Sequence, residues 1–124
     1  MHATPVYTKN DIGVVGIKPL SFLGSSLDEV RAFPENARRE AGHQLDRVQR
    51  GLDPEDWKPM QGVGSGVREV RIRDQAGAFR VIYVANRPEA VYVLHAFQKK
   101  TQATSKRDLD LAAARLKELT RSKL

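Results

Sequence analysis

The chain has 124 residues, 40% of them hydrophobic, a net charge of +6 and no cysteine. That length holds one core and is too short for two. The missing thiols exclude a disulfide framework and thiolate metal sites, in keeping with a reducing cytoplasm. No apolar run approaches the roughly 20 residues that span a bilayer. The opening MHATPVYTKNDIGVV lacks a secretion signal's basic start and apolar core. The expectation is a cytoplasmic protein with no membrane partner.

Residues 1–17 read as a flexible N-terminal arm ahead of a single domain over residues 18–124. Ile17–Leu23 (IKPLSFL) is short and apolar enough for a strand, and Pro19 favours a sheet edge. Ser26 with Glu29 has the form of a capping box, so a short helix is expected to start there. A second helix follows, with Pro34 in its first turn and Gly51 at its end. Ala37, Ala41, Leu45 and Val48 form its apolar stripe. GLDPEDWKPMQGVGSG is rich in proline and glycine and reads as a loop, with Trp57 and Met60 packing back on the core.

Three strands come next, Val67–Asp74, Ala78–Ala85 and Ala90–Gln98. Their short connections predict an antiparallel meander. The last segment is helical, with Ser105 as cap and a stripe of Leu109, Ala112, Leu116 and Leu119. The fold expected is α+β, with two N-terminal helices and a C-terminal helix packed on a twisted antiparallel sheet. The helices are expected to share one face of that sheet and leave the other free.

The whole charge excess lies between Arg68 and Arg107, where nine basic residues meet three acids. A local excess of this kind suits a polyanion, most often nucleic acid, although a solvated basic face produces the same pattern. Strand alternation puts Glu69, Arg71 and Arg73 opposite Val70 and Ile72. It puts Arg80 with Ile82 and Val84, and His95 with Val93 and Phe97. An arginine inside an apolar strand is costly unless it pairs or faces a ligand. Arg80 therefore either pairs with Glu69 or Asp74 or serves a site, and His95 is either a satisfied core histidine or a functional one. Neighbouring strands can gather Arg71, Arg80, His95 and Lys99 into one patch.

His2, His43 and His95 are scattered, so no metal-ligand set and no cofactor are expected. No Ser–His–Asp or Gly-x-Ser-x-Gly pattern appears, and GVGSG lacks the ending of a phosphate-binding loop. RNA cleavage without a metal fits the residues that remain. It needs a base for the 2′-hydroxyl, charge stabilisation on the phosphorane and an acid for the 5′-oxygen. Arginine and lysine suit the second task, and His95 or a lysine of depressed pKa suits the others.

The phrases EVRIRD, FRVIY and VYVLHAFQKKTQ, preceded by FPENARREAGHQLDRVQRG and DWKPM, carry a resemblance. Over about residues 18–120 the chain resembles the RelE/ParE superfamily of type II toxin–antitoxin toxins, and within it the phage-derived HigB-like branch. The resemblance implies a ribosome-dependent, metal-independent mRNA endoribonuclease that inhibits translation. Its partners would be the ribosome, mRNA and a helix-turn-helix antitoxin of HigA type. Arg71, Arg80 and Lys99 match basic positions of such toxins, and His95 and Lys100 belong to the HAFQKK phrase. The catalytic set implied is Arg71, Arg80, His95 and Lys99, with Arg68, Arg73, Lys100, Lys106 and Arg107 binding RNA. The chain departs from RelE-type toxins in having no tyrosine after Tyr92 and in placing Glu69 where a lysine is common. ParE-like action on gyrase, or a degenerate protein that only binds its antitoxin, are the alternatives.

Overall fold

A computed structural model describes residues 17–122. The expected arm therefore lies outside the described residues, apart from Ile17. The elements run β1 (Leu20–Phe22), α1 (Ser26–Arg31), α2 (Glu35–Gln49), β2 (Trp57–Pro59), β3 (Val67–Asp74), β4 (Gly77–Val84), β5 (Val91–Lys99) and α3 (Lys106–Ser122). They build one five-stranded sheet in the order β1-β5-β4-β3-β2.

The three long strands form the expected meander, and β3 has the predicted bounds. Two features correct the expected sheet. First, β1 runs parallel to β5, with Leu20 opposite Val91, so the sheet is mixed. Second, the proline-rich loop contains a strand, in which Trp57 and Lys58 pair with Val70 and Glu69. β2 lies at the sheet edge, the position where a strand ending in Pro59 loses no ladder bond.

The helices do not share a face. α1 and α2 cover one side, where Val30, Phe33, Ala37, Ala41, Leu45 and Val48 pack on Val70, Ile72, Phe79, Val81 and Val93. α3 covers part of the other, where Ala112 and Leu119 pack on Val67, Ile82, Val84, Tyr92 and Leu94. Both apolar stripes predicted for the long helices are thus the packed ones, with Leu109 and Leu116 half-buried at the margin of the second. Burial on both sides explains why β4 and β5 are apolar almost throughout.

A register shift near Ile82 and Tyr83 pairs Ile82 with His95 but Tyr83 with Val93. The irregularity parts two residues expected on one face. Val93 joins the α2 side, while Phe97 packs on the α3 side.

Helix ends follow local chemistry. Ser105 caps α3 as expected: its hydroxyl accepts from the Asp108 amide at 3.1 Å and donates to the Asp108 carboxylate at 2.7 Å. α1 starts at Ser26, as expected, but the capping box is not formed. The Ser26 hydroxyl is buried and instead donates to the Val93 carbonyl, 3.1 Å away across the core. Ser26→Ala should therefore cost about 1 kcal/mol, the net worth of one neutral hydrogen bond. Urea unfolding would show it as a lower midpoint at unchanged slope.

Candidate nucleic-acid interface

Antiparallel register places the cations in rows. Arg71 faces Arg80, which faces Phe97 on the next strand. One row further out, Arg73 faces Ala78, which faces Lys99. Residues opposed across a ladder point to the same side, so both rows lie on the face that carries α3. That helix covers the apolar end of the face, over Val67, Ile82 and Val84, and leaves the cationic end open. A shallow groove there is lined by Arg73, Ala78, Arg80, Lys99, Lys100, Thr101 and Gln102.

The floor of the groove is a buried ion pair. Arg80 Nε stands 3.5 Å from Glu69 Oε1, with the two side chains 8% and 1% exposed. The other Glu69 oxygen accepts from the Thr104 hydroxyl at 2.8 Å, which fastens the 100–105 loop over the sheet. Of the pairings considered for Arg80, the one with Glu69 is formed. It is incomplete, because Nε of both Arg71 and Arg80 is buried without a hydrogen-bond partner. Burial pushes the Arg80 guanidinium down, against the attraction of Glu69. Partial desolvation, followed by the nearby Arg80 charge, pushes the Lys99 ammonium down as well. Above this pair Arg73, Lys99 and Lys100 line the open groove, a concentration of cations that suits an anion.

His95 lies on the same face but not in the groove. It is 5% exposed, with Nδ1 at 2.9 Å from Glu29 and Nε2 at 2.7 Å from Asp108. The two ring nitrogens thereby join Glu29 on α1 to Asp108 on α3. Glu29 is the centre of this cluster. It also accepts from the Ala96 amide, from Ser25 Oγ and from both terminal nitrogens of Arg115. One carboxylate thereby ties α1, β5 and α3 together. Sequence reading gave Glu29 only a capping role and did not single out Asp108 and Arg115. The available signal was Arg115, a cation set three residues after Ala112 on the packed side of α3.

Burial alone would raise the Glu29 carboxyl, but Arg115, the Ala96 amide and His95 lower it from 4.5 to about 2. A carboxyl depressed in the folded state contributes stability that is complete above the ordinary value and lost as pH falls through the folded one. The difference corresponds to about 3 kcal/mol. Between pH 5 and pH 2.5 the native chain should lose more stability in urea than Glu29→Gln, which has no carboxyl to protonate.

The remaining cations are distributed differently. Arg68 is opposed to Tyr83 on the α2 side, where its guanidinium lies 3.9 Å over the Trp57 ring and 2.8 Å from Asp53. Lys106 is exposed and pairs with Asp110 at 2.7 Å. Arg107 lines a second depression beside the groove, together with Phe97, Lys99, Lys100 and Asp108. The structure thus brings together Arg71, Arg73, Arg80, Lys99 and Lys100, keeps Arg107 at their border, and holds Arg68 and His95 apart. Among the described residues no cluster of histidine and carboxylates has the form of a metal site. None of the described helices is long and apolar enough to cross a membrane.

No curated protein matches the chain. The family described as phage derived protein Gp49-like (DUF891) matches residues 28–117, from α1 through most of α3. The match takes in every strand of the meander and leaves out β1 and the last residues of α3. The chain belongs to the phage-derived Gp49-like family.

Proposed function

We propose that this protein is the toxin of a type II toxin–antitoxin pair, a ribosome-dependent endoribonuclease that cuts mRNA without a metal. Its membership of a family of RelE-like toxins supports the first part. The observation that carries the second is the open end of the sheet, where Arg73, Arg80, Lys99 and Lys100 line one groove and Arg71 stands opposite Arg80.

In this reading a phosphodiester lies over the groove. The ribose 2′-oxygen attacks the adjacent phosphorus and gives up its proton to the Lys99 amine, whose pKa desolvation and then the Arg80 charge push down. Arg71 and Arg80 take up the negative charge that grows on the equatorial oxygens. The P–O5′ bond breaks, and the 5′-oxygen leaves with a proton from Lys100 or water. The products are a 2′,3′-cyclic phosphate and a 5′-hydroxyl. Arg73 and Lys100 hold flanking phosphates, with Lys106 and Arg107 further along the strand. His95 does not touch substrate in this scheme; it fixes the end of β5 from which Lys99 projects. The antitoxin is a small helix-turn-helix protein of HigA type, and the protein acts in the cytoplasm.

One observation favours a second reading. With His95 sealed between carboxylates, the charged residues that line the groove are all cations, which also suits a toxin that binds its target without cutting, as ParE-like proteins do with gyrase. Primer extension on a defined message in a bacterial translation extract separates the two. Cuts in frame with the codons, on translated message only, support the nuclease. Intact message with DNA breakage in expressing cells supports the second reading.

A further inference from the structure

The depression beside the phosphate groove has a different chemistry. It shares Lys99 and Lys100 with the groove but adds Phe97, Gln98, Arg107 and Asp108. Phe97 is half-buried, and its ring stacks on His95 with centroids 5.1 Å apart and planes 20° from parallel. The His95 ring is itself held at both nitrogens, so Phe97 has little freedom left to lose when something binds. An aromatic face beside a phosphate site is the usual means of holding an unstacked RNA base.

The polar groups narrow the choice. Asp108 Oδ1 already accepts from His95 and Oδ2 from Ser105, yet each oxygen has a second lone pair. A carboxylate prefers a base edge with adjacent N–H donors, and guanine offers N1–H and N2–H. Arg107 is exposed and supplies donors for the guanine O6 and N7 acceptors.

We propose that the Phe97–Arg107–Asp108 depression is a base-recognition subsite that takes a guanine next to the phosphate held by Arg71, Arg80 and Lys99. This rests on the nucleic-acid reading of the groove and adds its specificity. Purified protein would be titrated with a labelled, 2′-O-methyl oligouridylate carrying one guanosine, one adenosine or one abasic residue. The native protein should bind the guanosine probe about tenfold more tightly than the abasic one, the scale of one stacked base. It should also prefer guanosine to adenosine. Phe97→Leu, which keeps apolar volume for the core, should bring guanosine and abasic affinities within about twofold of one another. Arg107→Ala should reduce the preference over adenosine to the part that Asp108 supplies while keeping the gain from stacking. Arg73→Ala, outside the depression, should weaken all three probes alike. Equal binding of the guanosine and abasic probes, with the Arg73 effect intact, would overturn the base subsite and leave the phosphate groove standing. Binding that ignores Arg73, or no binding, would remove both.

Discussion

Replacing Glu29 with alanine should lower the unfolding free energy by about 3–5 kcal/mol, the usual cost of removing one partner from a buried ionic cluster. Five hydrogen bonds end on this carboxylate. Its removal leaves Arg115, 12% exposed, without its carboxylate and His95, 6% exposed, with Asp108 as its one remaining carboxylate partner. A domain of this size is stable by about 5–15 kcal/mol, so the variant should stand near the limit of folding. Arg115→Ala should come close to the same loss, and the double variant should lose less than the two single losses combined, because the partners share one network. A loss below about 1 kcal/mol in urea unfolding would mean that α1, β5 and α3 are joined by apolar packing alone.

The second large effect concerns activity. Lys99→Ala should lower the rate of message cleavage by about 10²–10³-fold, the scale of one removed proton-transfer or charge-stabilising group, with little change in unfolding, because Lys99 stands at the groove rim. Arg80→Ala should lose activity to a similar degree, but it also strands the buried Glu69 carboxylate. Pairing Arg80→Ala with Glu69→Gln separates the two effects: the double variant should regain most of the stability and none of the cleavage. Recovery of cleavage with stability would show that Arg80 serves the fold and not the reaction.

Much of this geometry was legible in the residues. The alternation of VREVRIRD fixed β3 and sent Arg71 and Arg73 to one side; the same alternation already separated Arg68 from them. The stripes of α2 and α3 and the Ser105 cap follow from short-range spacing, which sequence carries directly. Partnership across the fold was harder to read. β2 has three residues and no periodicity, and it exists only because residues 68–70 lie beside it. The parallel β1–β5 pair joins segments some 70 residues apart, and no local signal encodes its direction. The covering of both faces did have a signal, the near-continuous apolar runs FRVIYV and VYVL, which suit a strand buried on two sides. His95 stayed open between a satisfied core histidine and a functional one because its two carboxylate partners lie 66 and 13 residues away. The register shift beside it, which separates Val93 from His95, is invisible to a simple alternation rule.

The open end of the sheet as the seat of RNA phosphate is tested most directly by the salt dependence of affinity for a non-cleavable oligoribonucleotide. Each phosphate neutralised by a protein cation adds about 0.7 to the slope of log affinity against log salt for a single strand. The slope should fall by about that amount in Arg73→Ala and again in Arg73→Ala/Lys100→Ala, while Lys117→Ala on α3 leaves it unchanged. Equal slopes in all four proteins would place the RNA elsewhere and contradict the account.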